Sequence, residues 1–161
     1  MKVIAFSLLL TASTFSLAQD FAMDEYLVRW MLLDVGNSSL RVLKTPDRSF
    51  MNIYRPDGPN TSTVRMSGAD AAEIGSALAR LQEIHDSQMG AVDVVSEEIS
   101  AGNFTVTFRT SRINGFSVVI QENQRFTTNG VTLPLNEALA IQPYLLQANE
   151  LLDHLNNSVD F

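Results

Sequence analysis

Apolar and polar positions alternate with a period of two in several short runs along this chain, then recur with a period near 3.6 in longer ones. Residues 39–44 read SLRVLK, residues 49–55 SFMNIYR and residues 62–66 STVRM, with turns at Thr45, Pro46 and Asp47 and again across Pro56, Asp57, Gly58, Pro59 and Asn60. That pattern predicts three short strands. Leu40, Val42, Met51 and Ile53 are expected to face a core, and the basic set Arg41, Lys44, Arg48, Arg55 and Arg65 to alternate onto the solvent face. From Ala69 to His85 the apolar period lengthens, with Ile74, Leu78, Leu81 and His85 at spacings of four, three and four. This predicts an amphipathic helix. Ser67 is its expected cap, and Asp70, three residues on, approximates a capping box.

The same order recurs further along. NFTVTFRTS from Asn103, a turn at Arg112, Ile113, Asn114 and Gly115, then FSVVIQ and RFTTNGVTLP lead into a second helical run. Val64-Arg65-Met66-Ser67 stands 67 positions before Val131-Thr132-Leu133-Pro134, and at that offset Asp70, Ile74, Leu78 and Ile84 match Glu137, Ile141, Leu145 and Leu151. Phe50 is matched to Phe116 and Leu40 to Phe104, at offsets of 66 and 64. The expected fold class is α+β, with two approximate β-β-β-α units at residues 39–86 and 103–155 whose antiparallel sheets pack against helices in one core. One such unit has a small core and open sheet edges; two together shield both.

Some segments are less regular. Pro134 suits a first helical turn, whereas Pro143 lies inside the second helical pattern, which predicts a break there. A short turn over residues 136–141 is therefore expected before a helix from Pro143 to Leu155, its buried stripe formed by Leu145, Leu146, Ala148, Leu151, Leu152 and Leu155. The segment FAMDEYLVRWMLLDV has Phe21, Leu27, Trp30, Met31 and Val35 as an apolar set and is read as a helix, with a strand from Tyr26 to Asp34 as the alternative. Residues 91–99 are read as a strand ahead of the second unit.

Composition narrows the class. Of 161 residues, 45% are hydrophobic and 18% charged, and none is cysteine, so disulfide scaffolds and thiolate metal sites are excluded. Residues 1–18, MKVIAFSLLLTASTFSLA, carry Lys2, an apolar stretch from Val3 to Leu10 and small residues at Ser16 and Ala18. They read as a secretory signal peptide, too short in its apolar part to span a bilayer. Cleavage after Ala18 would leave residues 19–161 as a single mature domain. Without Lys2, that product has 10 of the 11 basic side chains against 18 acidic ones, a formal charge of -8. Export without cysteine leaves packing as the source of stability and points to a bacterial periplasm, with secretion as the alternative.

Candidate chemistry is sparse. His85 and His154 each adjoin an aspartate, Asp86 and Asp153, and a ring placed near a helix C-terminus accounts for both better than catalysis does. No nucleophile elbow, phosphate loop, zinc-protease motif or EF-hand loop occurs. No catalytic residue, metal ligand or cofactor is nominated. In topology alone the paired units are similar to single-strand DNA-binding modules in which two such units join, a similarity that carries over no residue. Net negative charge opposes nucleic acid, despite Tyr54 and Phe50 beside the arginines of the first sheet. The expected function is that of an exported binding or accessory protein, not an enzyme, acting through a protein partner or as a homodimer and without an integral membrane segment. Tyr26, Trp30, Arg109, Arg112 and Arg125 are nominated as binding residues, because aromatic and arginine side chains combine large contact area with polar ends. The alternative is a small periplasmic hydrolase using carboxylate or histidine chemistry.

Overall fold

The computed structural model describes residues 27–57, 59–123 and 129–158. Strands β1 (Val28–Val35), β2 (Ser38–Lys44), β3 (Ser49–Asp57) and β4 (Asn60–Met66) form one antiparallel sheet in that order, followed by helices α1 (Gly68–Leu78) and α2 (Leu81–Gln88). Strands β5 (Val95–Ala101), β6 (Phe104–Ser111), β7 (Gly115–Glu122) and β8 (Gly130–Pro134) form a second sheet with the same order, followed by α3 (Leu135–Leu146) and α4 (Ala148–Ser158). The α+β class and the internal repeat expected from the sequence are both present, but each unit has four strands rather than three. The additional first strands are β1 and β5. They fall in the two stretches that lay outside the repeat in the sequence pattern.

The segment read as an N-terminal helix is therefore a strand where it is described. Its misleading spacing has a local cause. Trp30 pairs with Val42 on the core side, the register then slips between Met31 and Leu33, and Leu33 pairs with Leu40. The bulge inserts Leu32, so core-facing residues fall at 28, 30, 33 and 35, a sequence whose middle step imitates helical spacing. Strand pairing also corrects two matches between the halves. Leu40 pairs with Ile53 as Val106 pairs with Ile120, and Leu43 pairs with Phe50 as Arg109 pairs with Ser117. Leu40 thus corresponds to Val106, not Phe104, and Phe50 to Ser117, not Phe116.

Both helical regions differ from expectation in where they divide. The first is two helices separated at Ala79 and Arg80, and the second breaks at Gln147 rather than at Pro143. Pro143 is accommodated inside α3 because it and Leu139, whose carbonyl loses its helical donor, both lie toward solvent, where water replaces the bond. Leu145, Ala148, Leu152 and Leu155 are buried as the stripe predicts, Leu151 is half-buried, and Leu146 is exposed.

The units are packed by exchange. Helix α2 lies against β6 of the second sheet, α4 lies against β2 and β3 of the first, and α1 and α3 pack on each other between them. A Cβ at Gly75 would stand 2.8 Å from the Leu146 backbone nitrogen, so its absence permits the close approach of α1 and α3. Met51, Ile53, Ile74, Phe108, Ile120 and Ile141 belong to one continuous buried cluster. Helices α2 and α4 each cover the other unit's sheet while α1 and α3 touch both, so neither unit has a complete core alone.

Two carboxylates tie the exchange together. Asp70, near the start of α1, accepts from the Asn103 backbone N–H at 3.1 Å and from its side-chain amide at 3.0 Å, in the β5–β6 turn. Glu137, near the start of α3, accepts from the Asn37 backbone N–H at 3.0 Å, in the β1–β2 turn. Each turn reaches its carboxylate through a preceding glycine with φ near +58°, Gly102 and Gly36. The expected capping box is half-formed: Ser67 Oγ accepts from the Asp70 N–H at 3.1 Å, while the return bond runs from the Ser67 hydroxyl to Asp70 Oδ2 at 2.6 Å. Burial pulls the Asp70 pKa upward, but hydrogen bonds from Ser67 and Asn103 outweigh it and hold the carboxyl below its ordinary value.

Candidate partner-binding site

Of the nominated residues, Tyr26 and Arg125 lie outside the described residues. Trp30 is half-buried on the core side of β1 and packs against the main hydrophobic cluster. It also lines an apolar groove of about 240 Å³ between β1 and α4, with Leu32, Val42, Leu151, His154 and Leu155. Arg109 lies at the end of β6 on the face turned away from the helices, and Arg112 is exposed in the adjoining β6–β7 hairpin. These two arginines share one end of the second sheet; Trp30 belongs to the first.

Arg109 opens into a cleft of about 370 Å³ in which polar groups alternate with Phe116, Val119 and Pro134. Its cross-strand partner is Ser117, and the hairpin contributes Ser111 and Asn114. Thr132 of β8 lines the cleft from the next strand, and Arg55 reaches it from the first sheet. Alternation explains the grouping, since Arg109, Ser117 and Thr132 fall on one face of the twisted second sheet. Arg109 has no ion-pair partner among the described residues, and the described lining contains no carboxylate. Its guanidinium is available to a planar anion, and the surrounding hydroxyl and amide groups can add hydrogen bonds.

Arg55 departs from its expected solvent-facing place. It shares the phase of Met51 and Ile53, turns toward the helix side of the first sheet, and forms an ion pair with the buried carboxylate of Glu137. Its guanidinium also donates to Ser38 Oγ at 3.1 Å, and Ser38 in turn donates to Glu137 Oε2 at 2.6 Å. The period of two in Met51-x-Ile53-x-Arg55 was the sequence clue to this placement. Lys44 is likewise on the helix side and donates to the Asn156 carbonyl of α4 at 3.1 Å.

The histidines are far less convergent. His85 is in the last turn of α2, as the dipole argument requires, 3.1 Å from Asp86 and edge-on to the Phe116 ring at 5.0 Å. His154 lies in the middle of α4, not at its end, and lines the apolar groove. Neither is brought together with two carboxylates in a cavity among the described residues. No described helix is long and apolar enough to cross a membrane. No protein-family model matches the chain, and no curated protein matches its sequence.

Proposed function

We propose that this chain is an exported accessory protein, placed in a bacterial periplasm, that binds a protein partner through the Arg109 cleft. The observation carrying this reading is an arginine with no ion-pair partner among the described residues, in a concave surface that also offers hydroxyl groups, in a chain whose formal charge is -7. A buried carboxylate neutralises Arg55, whereas Arg109 retains its capacity for a charge-assisted bond to a partner's aspartate, glutamate or C-terminal carboxylate. Export rests on the Lys2, Val3–Leu10 and Ser16–Ala18 pattern at the start of the chain.

Crosslinking and size-exclusion chromatography of the native exported fraction test the reading. Wild-type protein is expected to retain a specific partner, and Arg109→Glu to lose at least ten-fold of that retention while eluting and melting as wild type does. Strictly monomeric behaviour across concentration with no partner captured, or equal capture by both proteins, overturns it. Mass spectrometry of the exported protein is expected to show a chain beginning at Gln19; an intact N-terminus would remove the periplasmic placement.

A further inference from the structure

The outward faces of the two sheets occupy equivalent places in the repeat but carry different chemistry. Where the second sheet has Thr107 and Val119 as neighbours, the first has Arg41 and Asn52, followed by Arg65 on β4. Along β3 the same face presents Phe50, Asn52 and Tyr54. The Arg41 guanidinium lies 4.5 Å from the Tyr54 ring centroid and that of Arg65 lies 4.3 Å from the Phe50 ring centroid. Asn52 sits between these stacks. It is 9% exposed and Ser39, one row away, is 4% exposed. Yet Asn52 Oδ1, Ser39 Oγ and Arg41 Nε, all buried, have no hydrogen-bond partner among the described residues.

Three polar atoms without partners in one region are costly unless something else supplies their bonds. Neither Arg41 nor Arg65 has an ion-pair partner among the described residues. Arg29 lies on the same face of β1, where Asp34 is the opposing carboxylate; Asp70 and Glu122 share a cleft with Arg65 at the β4 edge, so the positive character of the face is centred on Arg29 and Arg41. We infer that this face is a second binding surface, distinct from the Arg109 cleft, for an extended acidic segment of a partner protein.

The geometry favours a strand-like peptide. An arginine stacked on a ring keeps its N–H edge available to a carboxylate. Phe50 and Tyr54 are four residues apart on one strand, about 13 Å, and the same rise separates side chains i and i+4 on one face of an extended peptide. Carboxylates at that spacing would meet the two guanidiniums. The Asn52, Ser39 and Arg41 atoms without partners are themselves buried, so the intervening backbone would reach them only as the side chains covering them draw aside toward the bound carboxylates. The chain's overall charge repels a uniform polyanion.

The probe is a fluorescein-labelled extended peptide carrying two aspartates four residues apart, titrated into the full chain by anisotropy. Saturable binding is expected, weakened at least ten-fold by the double substitution Arg41→Gln and Arg65→Gln or by replacing the peptide's aspartates with asparagine. Arg109→Glu should leave it unchanged, which separates this surface from the cleft. On wild-type protein labelled with nitrogen-15, peptide-induced shifts should concentrate in residues 39–65, a measurement independent of whether a variant folds. No saturable binding, shifts confined to the second sheet, or undiminished binding by a folded double variant overturns the inference. Tighter binding of an oligothymidylate of matched charge also overturns it, in favour of nucleic acid.

Discussion

Asp70 and Glu137 hold corresponding places in the two halves, yet their surroundings differ. Each accepts a backbone N–H from the residue after a left-handed glycine in the other unit. Asp70 uses its remaining oxygen on Ser67, its own helix cap, whereas α3 begins after Pro134, which has no side-chain hydroxyl to offer. Glu137 instead engages Ser38 and Arg55, and so joins the β1–β2 turn, β3 and α3 through one carboxylate. The shared contact ties the halves through backbone geometry. What each side chain does with its second oxygen depends on the local sequence, and on the Glu137 side it also fixes the Arg55 guanidinium beside the Arg109 cleft.

The largest separation between the two latches should come from truncation. Glu137→Ala leaves the Arg55 charge and the Asn37 N–H without their partner, and should cost about 2–4 kcal/mol, the lower end reflecting the partial exposure of Arg55. Urea unfolding followed by circular dichroism measures the loss as a shift in midpoint. Glu137→Gln, which keeps an acceptor for Asn37, should recover part of it. An equal loss for Glu137→Ala and Asp70→Ala would remove the distinction between a buried, charge-paired latch and an exposed one.

The glycines provide an intermediate comparison. An alanine at Gly36 or Gly102 must adopt positive φ, and its Cβ would overlap the latch carboxylate in either turn. About 1–3 kcal/mol is expected for each, from backbone strain and displacement of the acceptor. Gly36→Ala should be the more damaging, because Glu137 is buried and held by Arg55 whereas Asp70 is nearer solvent and can turn aside. Thermal melts of the two variants decide the order; a larger loss for Gly102→Ala would show that the exposed turn is the less adaptable one.

Much of this organisation was legible where periodicity was uninterrupted. The match of Asp70, Ile74 and Leu78 to Glu137, Ile141 and Leu145 put α1 and the second helical run in corresponding positions, since a helical repeat preserves the spacing of buried residues, although residues 136–141 were expected as a short turn and belong to α3. At β1 the strand was only the alternative to a preferred helix because a one-residue bulge breaks strand alternation, and Pro143 misled because propensity does not reveal which helix face meets water. The site was harder. Arg55 and Arg109 are 54 positions apart in different sheets, and only the packing of one unit on the other places both at one cleft. The nomination of Arg109 rested on residue type, whereas the ion pair of Arg55 required knowing that Glu137 crosses to the first unit.

The finest test of the comparison is pH. The folded Asp70 pKa lies below the unfolded value, near 3.9, because the bonds from Ser67 and Asn103 favour the charged carboxylate more than burial disfavours it. A carboxyl lowered on folding contributes stability above its unfolded pKa, and that contribution disappears as pH falls through the folded pKa. Asp70→Asn should therefore cost about 0.5–1.5 kcal/mol at neutral pH, the range of a partly exposed hydrogen-bonded group. The gap from wild type should remain constant from pH 7 to pH 5 and close below about pH 4. Paired urea titrations across that range measure it. A gap that persists undiminished at pH 2.5 would mean that the latch acts through shape and neutral hydrogen bonding, so that the two halves differ in the burial of their carboxylates but not in their use of charge.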